Sequence, residues 1–245
     1  MRKFGLIGLP LVHSFSKKFF TAKFENEKID ARYDLYELQN ISEFSDLINN
    51  QELSGLNVTI PYKEKVIPFL DELDDTAAKI GAVNVIKFIR TSGELKLKGY
   101  NSDATGFESS LRPFLKPYHT KALILGTGGA SKAIDYVHRK NGISTDFVSR
   151  RAGVGTYTYS DLNREILLEH KLIVNASPVG TFPHSDECPE IPYEFLTPEH
   201  LLFDVVYNPA ETLFMKKGAE RGATCLNGEG MLNGQAVAAW EIWNT

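Results

Sequence analysis

The stretch Lys121-Ala-Leu-Ile-Leu-Gly-Thr-Gly-Gly-Ala-Ser-Lys-Ala133 decides the fold of this chain. Residues 122–125 are four consecutive apolar residues, which is typical of a strand buried on both faces of a parallel sheet. Glycines follow at once, and a helical pattern then runs to about Lys140, where Asn141-Gly142 ends it. Residues 143–148 have the pattern of the next strand. Strand, glycine turn, helix and strand within roughly thirty residues predict one βαβ unit.

The glycine turn indicates where a ligand would bind. Backbone amides at the start of the helix would face an anionic group, and a diphosphate is the expected one. The alternative is a tight turn without any ligand, because such glycine motifs are weak evidence alone and Ser131 stands at the third glycine position. The turn residues predicted to bind a cofactor are Gly126, Thr127, Gly128, Gly129, Ala130 and Ser131.

The end of the second strand predicts which dinucleotide binds. Units that bind NAD usually carry Asp or Glu there, hydrogen-bonded to the ribose hydroxyls. This chain has Ser149, Arg150 and Arg151 instead. Two guanidiniums and a hydroxyl suit a 2′-phosphate, because arginine offers forked donors to phosphate oxygens. Asp146 lies inside the strand, too early to reach the ribose. The sequence therefore predicts an NADP-binding unit.

Composition is that of an ordinary globular protein. The 245 residues suffice for one large domain or two modest ones, and the net charge of −4 argues against nucleic acid as a partner. Cys188 and Cys225 lie far apart and the histidines form no metal-binding pair, so we expect no metal. No apolar run approaches a membrane span, and Gly5, Gly8 and Pro10 interrupt the apolar N-terminus. We expect a soluble cytoplasmic protein without a membrane partner.

Strands alternate with helices on both sides of the glycine turn, which predicts an α/β chain of two domains joined near Asn101–Gly106. In the first domain we predict strands at 3–9, 31–38, 55–60, 82–89 and 95–100, and helices at 19–27, 41–50, from Pro61 onward and at 74–79. After Arg151 we predict strands at 172–175, 201–206 and 224–226 and a helix at 212–221. The final helix, 230–243, is expected to pack back on the first domain. The predicted domains are 1–103 with 229–245, and 104–228 as a Rossmann-type doubly wound dinucleotide-binding domain.

Polar residues gather at predicted strand ends of the first domain. Asn57 and Thr59 share one face at the carboxyl end of their strand, where ligands of open α/β sheets collect. Pro61 suits the first position of a helix, which would place Lys63 in the first helical turn. A lysine so placed is usually just solvated, so Lys63 alone carries little evidence of catalysis.

Other polar residues allow two interpretations each. Ser14 and Ser16 follow the first strand, where they fit a helix cap as well as a ligand site. Asn84 and Asn101 lie at strand ends, and Asp103 again fits a helix cap. In the final helix, Gln235 alone would be a surface residue.

Taken together, these pieces resemble the shikimate dehydrogenase family over nearly the whole chain. The matching pieces stand in the family's order: Gly-Leu-Pro-x-x-His-Ser-x-Ser (8–16), Asn-Val-Thr-Ile-Pro-Tyr-Lys (57–63), Gly-Ala-Val-Asn (81–84), Asn-x-Asp-x-x-Gly (101–106), Gly-Thr-Gly-Gly-Ala-Ser (126–131), Asn-Ala-Ser-Pro-Val-Gly (175–180), Asp-Val-Val-Tyr-Asn-Pro (204–209) and Gly-Met-Leu-x-x-Gln (230–235). Several such motifs in sequence are specific, unlike any one of them.

The resemblance implies an N-terminal substrate domain and an NADPH-dependent reduction of 3-dehydroshikimate to shikimate by a monomer or homodimer. It implies that Lys63 and Asp103 form the catalytic pair. The residues implied to bind or approach the substrate are Ser14, Ser16, Thr59, Asn84, Asn101, Tyr207 and Gln235. Gly228 joins the residues implied to bind the cofactor.

Two other functions stay open at this point. The first is a relative that acts on quinate or another polyol acid, with NAD as its cofactor; Arg150 and Arg151 argue against NAD. The second is a nucleotide-binding regulator that has lost catalysis. The presence of both Lys63 and Asp103 argues against it, because a binding protein has little need for that pair.

Overall fold

The computed structural model of the protein describes residues 1–11, 14–50, 52–154 and 156–245. The chain divides into two compact units. The first contains Met1–Ser102 and Gln235–Thr245, and the second contains Asp103–Gly234. Each unit contains a six-stranded sheet.

The first unit has a mixed sheet. Its elements are β1 (Arg2–Gly8), α1 (Phe15–Asn26), β2 (Ala31–Glu37), α2 (Glu43–Asn50), β3 (Gly55–Val58), β4 (Glu72–Leu73), α3 (Asp75–Ile80), β5 (Val85–Thr91) and β6 (Glu94–Tyr100), with a 3₁₀ helix at Ile67–Phe69. The strand order is β2-β1-β3-β5-β6-β4. β1 runs parallel to β2 and β3, whereas β5 is antiparallel to β3 and β6. The strands predicted at 82–89 and 95–100 correspond to β5 and β6, which form a hairpin.

Hydrophobic residues cover both faces of this sheet. One cluster joins Phe20 of α1 and Trp243 of the last helix to Phe4 on β1. Trp243 is anchored as well by a hydrogen bond from its indole N–H to the carbonyl of Ile86, at 3.1 Å. A second cluster contains Phe44 of α2 and residues of the 3₁₀ segment. The last helix therefore packs on the first unit, as the sequence predicts.

The second unit has a wholly parallel sheet. Its elements are α4 (Ser102–Leu111), β7 (Lys121–Leu125), α5 (Gly129–Lys140), β8 (Ser144–Ser149), β9 (Tyr157–Thr158), α6 (Arg164–Glu169), β10 (Leu172–Asn175), β11 (Leu201–Asp204), α7 (Leu213–Ala219) and β12 (Thr224–Leu226), and α8 (Glu229–Asn244) follows. The strand order is β12-β11-β10-β7-β8-β9. This is the doubly wound order of dinucleotide-binding domains, in which the chain reverses direction across the sheet between β7 and β10. The predicted Rossmann-type fold is confirmed.

The parallel sheet is covered on both faces. Leu123, Ile173 and Leu202 belong to one cluster together with Phe214 of α7. Because side chains alternate along a strand, Phe203 points to the opposite face. There it packs edge-on against Phe107 of α4, with ring centroids 4.9 Å apart.

The predicted helix after Pro61 is wrong. Residues 60–66 form turns, and only the 3₁₀ helix Ile67–Phe69 follows. Pro68 explains the difference, because an α-helix that began at Pro61 would place it in the helix interior, where it lacks an N–H and clashes with the preceding turn. Lys63 is consequently not at a helix amino end.

Other boundaries differ in ways that affect the site. α1 begins at Phe15, four residues before the predicted start, so Ser16 lies in its first turn. β3 ends at Val58, and Thr59 therefore lies just beyond the strand. Most of the predicted link, 101–106, belongs to α4. The short elements β4, β9 and α6 were not predicted from the sequence.

Candidate active site

The glycine turn connects β7 to α5 in a backbone conformation that leaves room for a ligand. Gly126 has φ +117°, and a Cβ there would lie 3.3 Å from the carbonyl carbon of Ala176. A side chain would be strained at this position. Gly128 precedes α5 and is exposed, and a Cβ on it would meet open space. No side chain in the described residues caps this end of α5, so its first amides can face an anion.

Ser131 supports the turn from inside. Its side chain is buried, and its hydroxyl donates to the carbonyl of Gly128 at 2.5 Å. Thr127 is exposed at the tip of the turn, whereas Gly129 and Ala130 are half-buried in the first turn of α5. The turn therefore presents mainly backbone to a ligand, as a dinucleotide diphosphate requires.

The two arginines follow a strand that is held beside this turn. The amide of Gly126 donates to the carbonyl of Val148 at 2.9 Å, which fixes the end of β8 next to the glycine turn. Ser149 is buried, and its hydroxyl accepts a hydrogen bond from the amide of Arg151 at 3.1 Å. Arg150 and Arg151 are exposed. Their guanidiniums are thus available to an anion close to the glycine turn.

Neighbouring groups are consistent with a phosphate-binding role at this end of β8. Burial raises the pKa of Tyr159, and the positive charge of Arg150 partly opposes that shift, which places the guanidinium near the phenol. Asp146, the nearest acidic residue within β8, accepts a hydrogen bond from Nε2 of His170 at 2.9 Å. The carboxylate is occupied by this hydrogen bond and lies three residues before the end of β8, whereas a ribose-binding acid is expected at the strand end. The residues present fit a dinucleotide that carries a 2′-phosphate.

A buried polar network joins the ends of β10 and β11. Asn175 donates to the Asp204 carboxylate at 2.9 Å, and its own oxygen accepts from the hydroxyl of Ser177 at 2.6 Å. The hydroxyl of Thr212 donates to the second carboxylate oxygen at 2.6 Å. Asn175 and Asp204 belong to two of the sequence motifs above, but neither residue was predicted to have a role in the site. Their position directly after apolar strands was the signal that could have identified them.

This network fixes the loop that carries Tyr207. The amide of Val206 donates to Asp204 at 3.0 Å, and Thr212 binds the same carboxylate from the far end of the loop. Tyr207, between these two anchors, is 43% exposed. Gly228 has a steric role beside the loop, because a Cβ there would lie 2.1 Å from the carbonyl oxygen of Val205.

In the first unit, the amino end of α1 carries the two predicted serines. Ser14 caps the helix, and its hydroxyl accepts from the amide of Lys17 at 3.2 Å. Ser16 lies in the first turn and is half-buried. Burial raises the pKa of the Tyr33 phenol, and the neighbouring hydroxyl of Ser16 partly opposes that shift. Ser14 therefore fills the capping role that the sequence allowed. Val12 and His13, which belong to the same motif, lie outside the described residues.

Buried amides extend this polar region across the sheet. The hydroxyl of Tyr33 donates to the side-chain oxygen of Asn57 at 2.7 Å. Asn57 in turn donates to the carbonyl of Asn84 at 3.3 Å. The side chain of Asn84 donates to the hydroxyl of Ser102 at 3.0 Å and accepts from the Ser102 amide at 2.7 Å. These contacts connect Tyr33, a neighbour of Ser16, to Asn84 through Asn57. Neither Tyr33 nor Asn57 is among the residues that the resemblance implies for substrate binding.

Further predicted residues of the first unit lie on short loops. Asn101 is buried and donates to the carbonyl of Ala82 at 2.9 Å. Lys63 is half-buried in the turn after β3, and its carbonyl accepts from the amide of Val83 at 2.7 Å. Thr59, half-buried as well, donates its amide to the carbonyl of Ile7 at 2.9 Å.

The last two predicted residues are helical and largely buried. Gln235 lies on α8 and is 8% exposed, so it is not the surface residue that its sequence position alone suggested. Asp103 lies in the first turn of α4 and is 6% exposed. A carboxylate is favourable at this end of a helix because of the helix dipole.

Two negative findings concern the described residues. No helix there is both long enough and apolar enough to cross a membrane. Within the same residues, His, Cys, Asp and Glu side chains form no group of three or more that could hold a metal ion.

Comparison with protein families gives one domain match. The sequence model for the shikimate dehydrogenase substrate binding domain matches residues 6–86. A relative from Desulforamulus reducens, named shikimate dehydrogenase (NADP(+)), is 34% identical over 264 residues. That alignment covers 98% of this chain and 88% of the relative.

Solved structures share the fold over almost the full length. The crystal structure of shikimate dehydrogenase from Aquifex aeolicus has a TM-score of 0.85 and 33% identity, and the match covers 100% of this chain and 92% of that chain. The Thermus thermophilus shikimate 5-dehydrogenase, crystallised in complex with NADP(H) and shikimate, has a TM-score of 0.85 and 28% identity. That match covers 99% of this chain and 93% of the other.

Proposed function

The chain belongs to the shikimate dehydrogenase family, and from this premise we propose that it catalyses the reversible, NADP-dependent interconversion of shikimate and 3-dehydroshikimate. The observation that carries the proposal is the alignment of 98% of the chain with a relative named shikimate dehydrogenase (NADP(+)). The reaction is a step of aromatic amino-acid biosynthesis through chorismate. The protein is accordingly an oxidoreductase.

The cofactor is NADP, and the second unit has the groups to hold it. The glycine turn from Gly126 to Ser131 offers backbone amides to the diphosphate. Arg150 and Arg151 are assigned to the 2′-phosphate, with Ser149 shaping the turn between them and β8. NADPH, when bound, supplies the hydride that reduces the substrate ketone.

The remaining roles are assigned to side chains of this chain. Ser14, Ser16, Thr59, Asn84, Asn101, Tyr207 and Gln235 bind or border the substrate. Reduction of a ketone leaves an alkoxide oxygen, which must receive a proton from a group within hydrogen-bond reach. Lys63 is assigned as the ammonium that supplies this proton, directly or through a water. Asp103 orients that charge.

Buried amides support the substrate assignment physically. Asn84 and Asn101 are each hydrogen-bonded to a backbone group, so their side chains are held in fixed orientations. A polyhydroxylated substrate needs donors and acceptors that are already oriented, because reorganisation on binding would cost affinity.

A spectrophotometric assay tests the function. Purified protein with shikimate and NADP⁺ should show reduction of the cofactor, and the rate with NAD⁺ should be far lower. Quinate serves as the competing substrate. Absence of turnover with shikimate under both cofactors would refute the proposal, and faster turnover of quinate would reassign the substrate.

We further propose that the enzyme works in the cytoplasm as a monomer or homodimer on a small-molecule substrate. Cell fractionation tests the location. Light scattering distinguishes the two assemblies, because it measures molar mass and a homodimer has twice the mass of the 27.4 kDa chain.

A further inference from the structure

A buried tyrosine stands behind the proposed substrate residues of the first unit. Tyr33 lies on β2 and is 3% exposed. Its ring stacks on Phe20 of α1, with centroids 4.9 Å apart and ring planes inclined by 13°. Packing alone would be satisfied by phenylalanine at this position, so the hydroxyl calls for a separate explanation.

The hydroxyl of Tyr33 faces polar groups on two other elements. It donates to the side-chain oxygen of Asn57 on β3 at 2.7 Å. The hydroxyl of Ser16 on α1 is a polar neighbour that partly opposes the effect of burial on the pKa of the phenol. Burial raises the pKa of the Tyr33 phenol well above its ordinary value, so the group stays protonated near neutral pH and remains a donor. The phenol on β2 therefore has polar neighbours on both α1 and β3.

The bond to Asn57 also fixes which way its amide points. Because the oxygen of Asn57 accepts from Tyr33, the nitrogen faces the carbonyl of Asn84, to which it donates at 3.3 Å. The same carbonyl accepts from the amide of Val58 at 2.9 Å. The backbone of Asn84 is thus held from two sides, and its side chain is held by Ser102.

We propose that Tyr33 is a positioning residue of the substrate site, which orients Asn84 through Asn57 and is a polar neighbour of Ser16. The inference rests on the proposed function, because Ser16 and Asn84 are substrate residues only under that assignment. Tyr33 itself is deeply buried, and the proposal gives it no contact with the substrate. Chains of hydrogen bonds polarise one another, so loss of the central hydroxyl affects both neighbours.

The inference predicts a specific kinetic effect. Without the phenol hydroxyl, Asn57 loses its hydrogen-bond donor and Ser16 loses a polar neighbour, and part of the substrate's binding free energy must be used to order them. A hydrogen bond of ordinary net strength corresponds to an increase of about three- to tenfold in the KM for shikimate. The KM for NADP⁺ and kcat should change much less.

The experiment uses Tyr33→Phe in the full-length protein, with Tyr62→Phe as the matched control. Tyr62 is also 3% exposed, and its hydroxyl donates to the carbonyl of Leu38 at 2.5 Å. Both variants lose one buried tyrosine hydrogen bond, but only Tyr33 contacts proposed substrate residues. Because Tyr62 precedes Lys63, the control also reveals general distortion near the site. Urea unfolding of each variant measures the loss of stability separately.

A double-mutant cycle with Ser16→Ala provides the second measurement. If Tyr33 acts partly through Ser16, the combined increase in KM should be smaller than the product of the two single increases.

A substrate KM within twofold of wild type for Tyr33→Phe, or an equal increase in Tyr62→Phe, would overturn the inference. If wild type itself does not turn over shikimate, the proposed function fails; if wild type is active and Tyr33→Phe is unchanged, only the positioning role fails.

Discussion

The side chain of Asn175 donates a hydrogen bond to the carboxylate of Asp204 at 2.9 Å, and this bond joins the ends of two neighbouring parallel strands. Both residues are fully buried. Val206 and Thr212 donate to the same carboxylate. Burial outweighs these donors and raises the pKa of Asp204 to about 6. The group therefore titrates at a pH where most aspartates are fully ionised.

This titration predicts the pH dependence of Asp204→Asn. At pH values between the unfolded-state pKa of about 3.9 and the folded-state pKa, the folded protein binds more protons at Asp204 than the unfolded chain does. The free energy of unfolding of wild type therefore falls as pH rises through that window. A shift of about two units corresponds to on the order of 3 kcal/mol. The variant lacks this group and should therefore gain stability relative to wild type as the pH rises.

Urea unfolding of wild type and Asp204→Asn from about pH 4 to pH 8 measures this difference. Tyr193, the nearby phenol, stays neutral over this range because burial raises its pKa. A difference in unfolding free energy that is constant with pH would contradict the assignment of the raised pKa to Asp204.

The buried side chain of His138 should make the free energy of unfolding change with pH in the opposite direction, in the acid range. This side chain is fully buried on α5, and burial lowers its pKa to about 3. The unfolded chain binds a proton near pH 6.5, so stability is fully present above that value and falls as pH decreases toward the folded pKa. His138→Leu removes this penalty. The variant should gain on the order of 3 kcal/mol relative to wild type between about pH 7 and pH 4.5, measured by urea unfolding.

The environment of the His138 ring agrees with this assignment, because its Nε2 has no hydrogen-bond partner in the described part of the chain. An unfolding free energy of His138→Leu that differs from wild type by the same amount at pH 7 and pH 4.5 would contradict the lowered pKa of His138.

The parallel sheet of the second unit could be predicted because its strands are short apolar runs between glycine and helix signals. Leu123 and Ile124, for example, are buried on opposite faces of one strand, so no periodicity was needed to recognise it. The helix predicted after Pro61 does not form, because the prediction used the start signal alone. Pro68 would fall inside such a helix and prevents it.

The sequence can propose site residues where motifs carry them and not where only tertiary contacts do. Arg150 follows a glycine-turn unit at a position with a known chemical meaning, so the sequence suffices to propose a role for it. Tyr33 lies on an ordinary alternating strand, and nothing local distinguishes its hydroxyl from that of Tyr36. Its partner Asn57 is 24 positions away and becomes a neighbour only when the sheet forms. Long-range hydrogen bonds of this kind leave no local pattern.

Replacing Arg150 and Arg151 by Ala should erode the preference for NADP over NAD. Charge-assisted hydrogen bonds to a phosphate are among the strongest in proteins, so the ratio of kcat/KM for the two cofactors should fall by roughly tenfold to a few hundredfold. Arg139→Ala is the control, because this exposed arginine pairs with Asp135 near the opposite end of α5. An unchanged ratio in the double variant would show that another group binds the 2′-phosphate. The same fall in the control would show that the effect is not specific to Arg150 and Arg151.

Lys63 and Asp103 are expected to act as one acid–base unit. The carbonyl of Lys63 is fixed by the amide of Val83 at 2.7 Å, so removal of the side chain leaves the turn in place. Lys63→Ala should lower kcat by about 10²–10⁴-fold, the usual contribution of acid–base catalysis, and change the substrate Kd much less. Asp103→Asn should cause similar loss, and the double variant should be little worse than either single one, because the effects of residues that act together are not additive.

Lys65→Ala, two positions on and exposed, is the control and should turn over shikimate normally. Single-turnover rates and equilibrium binding of shikimate separate the two effects. Near-normal kcat in Lys63→Ala, or fully multiplicative losses in the double variant, would refute the paired role.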